Sequence, residues 1–99
     1  MTKLLLNLFE DAFNYQDRNK YKYYEDRIET FQTWPKAHPI KATELCSAGF
    51  IYSGQSDRVQ CFSCKVILHS FNSTDCVIKE HQIHSKECEF IKSFTPNLK

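Results

Sequence analysis

Arg58-Val59-Gln60-Cys61-Phe62-Ser63-Cys64 carries a strand-forming run into a C-x2-C turn, and His81 and Cys88 follow downstream. Two thiolates on such a knuckle can approach one ion from a single tight turn. His81 and Cys88 supply the natural other half of a tetrahedral set. On one straight helix the seven residues from His81 to Cys88 would rise ~10.5 Å, too far for two side chains to share an ion. The backbone is therefore expected to bend between them, with His81 near the end of one helix and Cys88 at the start of the next. A closed Cys3His set leaves no position for water, which points to one structural zinc rather than a catalytic one. Counting alone leaves Cys76 and His84 as competing ligands, since His84 lies three residues beyond His81 and would give a C-x2-C with H-x2-H variant. Cys46 reads as a core residue, and Cys76, at a helix start, as a packed thiol.

Around this cluster the composition sets bounds. The chain has 99 residues, 41% hydrophobic and 14% aromatic, so it is expected to form one small soluble domain. A domain this size hides only roughly 60–70% of its unfolded surface and commonly needs a staple. Five cysteines, an odd number, suit metal ligands plus bystanders in a reducing compartment better than a disulfide framework. A formal net charge of +1 gives no electrostatic reason to expect nucleic acid or an anionic membrane as a partner. The most apolar window, Leu4-Leu5-Leu6-Asn7-Leu8-Phe9, is too short for a signal-peptide core or a membrane span. A cytoplasmic location is the expectation.

The periodicity outlines an α+β unit. Leu5, Leu8, Phe9, Ala12 and Phe13 recur at helical spacing and predict an amphipathic helix over residues 4–15, followed by a connector over 16–23. Tyr24, Ile28 and Phe31 predict a second helix over 24–33, stopped where Trp34 precedes Pro35. Residues 41–48 read as a short helix ended by Gly49. Strands are expected at residues 50–53, 58–62 and 66–70. Ser73, Thr74 or Asp75 is placed to cap a helix running to about His84, and residues 86–94 read as a last one.

Three blocks then carry a family resemblance. Arg27-Ile28-Glu29-Thr30-Phe31-Gln32-Thr33-Trp34-Pro35 fits R-x2-TF-x2-WP. Residues 48–64 fit AGF-x-Y-x-G-x2-D-x-V-x-CF-x-C, and the cluster has the spacing C-x2-C-x16-H-x6-C. From about Tyr24 to Ile91 the chain resembles the baculoviral IAP repeat, the BIR domain of inhibitor-of-apoptosis proteins. The resemblance implies a small zinc-binding α+β fold, a three-stranded antiparallel sheet surrounded by short helices. It also implies zinc held by Cys61, Cys64, His81 and Cys88, which decides the ligand contest against Cys76 and His84. The corresponding division is an N-terminal helix and connector (1–20), a BIR domain (21–95) and a tail (96–99).

Family members bind proteins and do not catalyse with this domain. The resemblance implies partners that are caspases or pro-apoptotic proteins with a free N-terminal alanine, docked as an added strand in a groove beside the third strand. The matching positions are Ile67 and Leu68 on the strand, Phe71 as a pocket wall, Asp75 as the carboxylate facing the ammonium, and His84 on the far wall. This chain departs from the peptide-binding pattern, with Ile67 in place of glycine and with Phe71 and His84 in place of tryptophan. At about 25 cal/mol per Å2 of lost apolar contact, the groove should be weaker than the family's best. The alternative is an oligomeric scaffold or signalling adaptor that takes no alanine-first peptide and assembles with other inhibitors of apoptosis, or with itself, through the N-terminal helix. For Asp75 the alternative role is an N-cap. No base-orienting constellation accompanies the cysteines, so an enzyme is not expected. No second cysteine cluster follows residue 88, and the Cys64-Lys65-Val66 run is similar to viral and insect members, so the expectation is a BIR-only chain, in the host cytoplasm if viral. Arg27 is expected to anchor the second helix to the sheet, with Phe31, Trp34, Phe50 and Phe62 in the core.

Overall fold

The computed structural model describes residues 3–5 and 20–94. In chain order the elements are strand β1 (Lys3–Leu5), a 3-10 turn (Lys20–Lys22), helix α1 (Tyr24–Glu29), helix α2 (Ala42–Ser47), strands β2 (Phe50–Tyr52), β3 (Val59–Cys61) and β4 (Ile67–His69), and helices α3 (Val77–His84) and α4 (Glu89–Phe94). The three expected strands form an antiparallel sheet at their expected places, trimmed at the ends. Phe50 pairs with Cys61, Tyr52 with Val59, Val59 with Leu68 and Gln60 with Ile67. Short helices surround it, as the α+β reading required.

The N-terminal segment differs from expectation. Lys3–Leu5 is a strand and pairs antiparallel with β4, so the sheet has four strands in the order β1-β4-β3-β2. A helix starting at residue 4 is thus excluded over Leu4 and Leu5, and the rest of the expected helix, together with residues 96–99, lies outside the described residues. The physical reason is that an unpaired sheet edge offers a ladder of hydrogen bonds to any extended apolar segment, which outweighs a marginal local helix preference.

Helix α1 is also shorter than its periodicity suggested. After Glu29 the chain tightens into successive i to i−3 turns, with the amides of Thr30, Phe31 and Trp34 donating to the carbonyls of Arg27, Ile28 and Phe31. Thr30 explains the change, because its hydroxyl donates to Arg27 O at 2.7 Å and accepts the Tyr52 amide at 2.9 Å, stitching this turn to β2. Phe31, Trp34 and Tyr52 then close one aromatic cluster with ring centroids 5.0–5.5 Å apart. At the end of α2, Gly49 takes φ +92, as expected of a helix-terminating glycine.

Phe31, Trp34, Phe50 and Cys46 are buried, whereas Phe62 is only half-buried. Burial pushes the Cys46 thiol up to about 12, so it stays protonated as a core group. Cys76 is instead exposed, at the N-cap of α3. Arg27 ties helices together more than it ties a helix to the sheet. Its Nε donates to Cys46 O in α2 at 2.9 Å and its Nη1 to Tyr21 O at 2.8 Å. The guanidinium carbon lies 5.2 Å from the ring centroids of both Phe62 and Phe90. Among the described residues no helix is long and apolar enough to cross a membrane.

Candidate metal centre and peptide groove

The β3–β4 connection builds the zinc knuckle. Lys65 adopts φ 70, and its amide reaches back to Cys61 O at 3.1 Å, which turns Cys61 and Cys64 toward the same point. The buried Gln60 donates through Nε2 to Lys65 O at 3.0 Å and holds that unusual conformation in place. His81 comes from the last turns of α3. The chain then bends through residues 85–87, and Cys88 precedes α4, accepting the Lys92 amide at 2.9 Å. The expected break between the last two ligands is therefore present.

The ligand atoms of Cys61, Cys64, His81 and Cys88 all lie within 4.8 Å of one another. Cys61 Sγ and Cys88 Sγ are 3.8 Å apart, and Cys64 Sγ is 3.5 Å from His81 Nε2. A tetrahedron with Zn–S near 2.3 Å and Zn–N near 2.05 Å requires about 3.8 Å between sulfurs and about 3.6 Å between sulfur and nitrogen. The donor set fits one structural zinc, and Cys76 and His84 are not part of it. His81 Nδ1 donates to Ala48 O at 2.9 Å, which fixes the tautomer and presents Nε2 as the ligand. The Ser63 amide donates to Cys61 Sγ at 3.2 Å. Hydrogen bonding from Cys61, then from His81, holds the Cys64 thiol at about 3, while the bond from Cys61 holds Cys88 at about 6. Burial pushes Cys61 the other way. Three sulfurs this close share protons unless a cation is present, and a dication resolves the conflict.

Beyond the knuckle, the backbone of β4 has two sides. Val66 O accepts the Cys61 amide at 3.0 Å, so alternation turns the backbone groups of Val66 and Leu68 toward β3. Those of Ile67 and His69 turn to the outer edge. Leu68 is fully buried, while Ile67 and His69 are half-buried. Past β4, Ser70 takes φ 62, and the successive amides of Ser70 and Phe71 converge on the Asp57 carboxylate at 2.8 and 2.9 Å. His38 Nε2 reaches the same carboxylate at 3.1 Å, with its Nδ1 accepting the Ile40 amide at 2.9 Å. Burial works against the Asp57 charge, but the bonds from Ser70, His38 and Phe71 prevail and hold its carboxyl below the ordinary value.

Asp57 and His38 were missed as functional positions by sequence reasoning. Asp57 stood inside a quoted motif, yet nothing local shows that it anchors Phe71, fourteen residues away in sequence. Phe71 is buried against the core beside the end of β4. Asp75 is not the N-cap of α3, which is Cys76 without a side-chain cap bond. Its Oδ2 accepts the Asn72 amide at 2.9 Å and closes the 72–75 turn. Nor do Ser73 and Thr74 cap α3; the helix starts only at Val77, and the Thr74 hydroxyl is turned to Asn72 Oδ1 at 2.8 Å. His84 lies 3.7 Å from Glu80 on one side of α3. Glu80, the carboxylate of this helix, also escaped the sequence reading.

Comparison with known proteins decides the family. The BIR profile, described as the Inhibitor of Apoptosis domain, matches residues 27–92. The chain belongs to the inhibitor-of-apoptosis family. This BIR chain is 33% identical over 94 residues, 95% of its length, to the E3 ubiquitin-protein ligase XIAP of Xenopus tropicalis, of which it spans 19%. It is 43% identical over 68 residues, 69% of its length, to baculoviral IAP repeat-containing protein 3 of Canis lupus familiaris, of which it spans 11%. Solved structures are similar as well, two of them at 30% identity. DIAP1 BIR1 bound to a Grim peptide superposes with a TM-score of 0.66, covering 71% of both chains, and autoinhibited dIAP1-BIR1 with 0.69, covering 75% of both. The BIR domain is a protein-interaction module, consistent with a closed metal set that stabilises structure.

Proposed function

We propose that this BIR domain captures pro-apoptotic proteins, caspases or their antagonists, through the outer edge of β4, taking the free N-terminal end of an extended segment as an added strand. The observation that carries the reading is the edge itself, where the backbone groups of Ile67 and His69 face outward and an extended segment pairs antiparallel along them. Antiparallel addition sends the N-terminal end of the added strand past His69 toward Phe71 and Asp75. A small first side chain would rest near Phe71. Its ammonium would meet Asp75, a carboxylate with lone pairs for more than one donor. Leu68, buried beneath the edge, keeps the strand rigid, and His84 would close the far side. The similarity to a BIR1 domain bound to a Grim peptide supports this chemistry. Phe71 and His84 offer less apolar wall than tryptophan, and the branched Ile67 crowds the groove floor, so weaker binding than in tryptophan-walled grooves is expected. Thiolate ligands and the free cysteines 46 and 76 support a reducing, cytoplasmic setting.

Calorimetric titration of the zinc-loaded protein with a peptide beginning Ala-Val-Pro-Ile tests the proposal. Heat that disappears when the peptide is N-acetylated, and with Asp75→Ala, supports it. No shift of the β4 amides in spectra recorded up to millimolar peptide overturns it in favour of the scaffold reading.

A further inference from the structure

The turn that follows α1 builds a concave surface for which the β4 groove has no use. Pro35 and Pro39 restrict the backbone at the two ends of the loop, and the loop's polar groups are spent inside it. The His38 amide donates to Pro35 O at 3.1 Å, and the Ile40 amide donates to His38 Nδ1 at 2.9 Å. Trp34 Nε1 donates to Ile40 O at 3.0 Å, and His38 Nε2 is taken up by Asp57. The surface left over is mainly ring and aliphatic, and it frames a cavity of about 350 Å3 walled by Phe31, Trp34, Pro35 and Ile40. That volume lies in the range of clefts that take a ligand. Lys36 and Lys41 line the same cavity. Both are exposed, and neither has a carboxylate partner among the described residues. No aspartate or glutamate among the described residues lines it, and none of Ile67, Leu68, Phe71, Asp75 and His84 does.

We propose that this cavity is a second docking site, which takes an acidic segment of a partner protein with an apolar side chain set between carboxylates. Charge complementarity carries the choice of occupant. Two unpartnered ammonium groups beside an apolar floor raise the local positive potential, which draws in a segment of the opposite sign and disfavours a basic one. The division of labour follows from magnitudes. An exposed ion pair contributes little by itself, so the lysines select and orient, while burial of the apolar side chain against Trp34 and Ile40 supplies most of the affinity. An anionic membrane fits the same charge less well. Phe31, Trp34 and Ile40 are buried and form a recess, so they present no protruding apolar side chain for a lipid surface to receive. The cavity and the β4 edge share no residue, so the domain can hold two partners at once, one by its free N-terminal end and one by an internal acidic stretch.

The probe is the peptide Asp-Glu-Leu-Glu-Asp, acetylated at its N-terminus and amidated at its C-terminus, titrated into the full zinc-loaded chain. Its blocked amine keeps it out of the alanine-first groove, and Trp34, the chain's one tryptophan, reports from the cavity wall. A saturable change in Trp34 fluorescence at submillimolar peptide is expected, with amide shifts over residues 34–42 and none along β4. The Lys36→Gln/Lys41→Gln variant should bind the peptide about threefold to tenfold more weakly. Lys41 is the N-cap of α2 but makes no side-chain cap bond, so the helix start is kept, and an unchanged urea midpoint certifies the fold. The blocked analogues Asn-Gln-Leu-Gln-Asn and Asp-Glu-Ser-Glu-Asp should each bind more weakly than the probe, the first for lack of charge and the second for lack of floor contact. Equal affinity of the charged and uncharged peptides, or of the native chain and the lysine variant, would overturn the acidic selection. No response at millimolar peptide, or shifts confined to β4, would overturn the site itself. Binding to phosphatidylserine vesicles with no response to the peptide would assign the surface to a membrane and overturn the proposal as well. The Ala-Val-Pro-Ile peptide should bind the lysine variant as it binds the native chain, so that failure of either site is seen without the other.

Discussion

Replacing Asp57 by alanine should unfasten the end of β4 from the rest of the molecule. The carboxylate accepts the amides of Ser70 and Phe71 at 2.8 and 2.9 Å and faces His38 at 3.1 Å, with its side chain 15% exposed. A hydrogen bond to a charged group contributes about 1.5–3 kcal/mol. Taking the low end for this partly hydrated site, the two backbone bonds amount to about 3 kcal/mol. The His38 contact comes on top of these two bonds. Asp57→Asn keeps one acceptor oxygen but turns an NH2 group toward the second amide, so about half the loss is expected. The assay is urea unfolding in excess zinc, followed by fluorescence of Trp34, the chain's one tryptophan, whose ring is 4.7 Å from that of His38. A loss below about 1 kcal/mol for the alanine variant would refute the claim that this carboxylate fixes Ser70 and Phe71. The pH dependence has a definite sign. Because the folded carboxyl sits below its unfolded value, its contribution is complete above the unfolded pKa near 4 and is lost as pH falls through the folded one. The stability gap between native and Asp57→Asn proteins should therefore be constant at neutral pH and narrow in acid; a gap that widens in acid would contradict the assignment. Since Phe71 is a wall of the proposed pocket, the same variant should weaken the alanine-first peptide.

Metal removal should be more drastic. A structural zinc supplies on the order of 10 kcal/mol of apparent folding free energy, so chelation should abolish the near-ultraviolet signal of Trp34, and one equivalent of zinc should restore it. Cobalt should give the strong thiolate absorption of a tetrahedral site in the native chain, in Cys76→Ala and in His84→Ala, but not in Cys64→Ala; retention of the spectrum in the last would move the site. Gly49→Ala should destabilise the domain by about 2 kcal/mol, since φ is +92 and a Cβ would meet Phe90 Cδ2 at 2.8 Å. An unchanged urea midpoint for that variant would show that the packing of Phe90, against Phe62 and Arg27, gives way freely.

The zinc set, the three central strands and the glycine stop after α2 were legible because each rests on local chemistry. Thiolates two residues apart need one turn, alternating aromatic and β-branched residues need a sheet, and a residue with φ above zero favours glycine. The choice of His81 over His84 came from the family spacing, and the structure supplies its cause in the Ala48 carbonyl that orients the ring. What escaped the sequence was set by partners far along the chain. Arg27 meets Cys46 and two phenylalanines rather than the sheet, Thr30 ends its helix by bonding β2, and Asp57 reaches Phe71 from an exposed turn. Leu4 and Leu5 show the same limit most sharply. Their helical periodicity was real, but a three-residue stretch has little conformational preference of its own, and the open edge of β4 decided its structure. Sequence alone thus determined which residues bind the metal and what kind of domain they build. Only the tertiary structure decided which strand lies on the outer edge of β4, because backbone hydrogen-bonding groups are the same in every residue and only their placement in space selects what pairs with them.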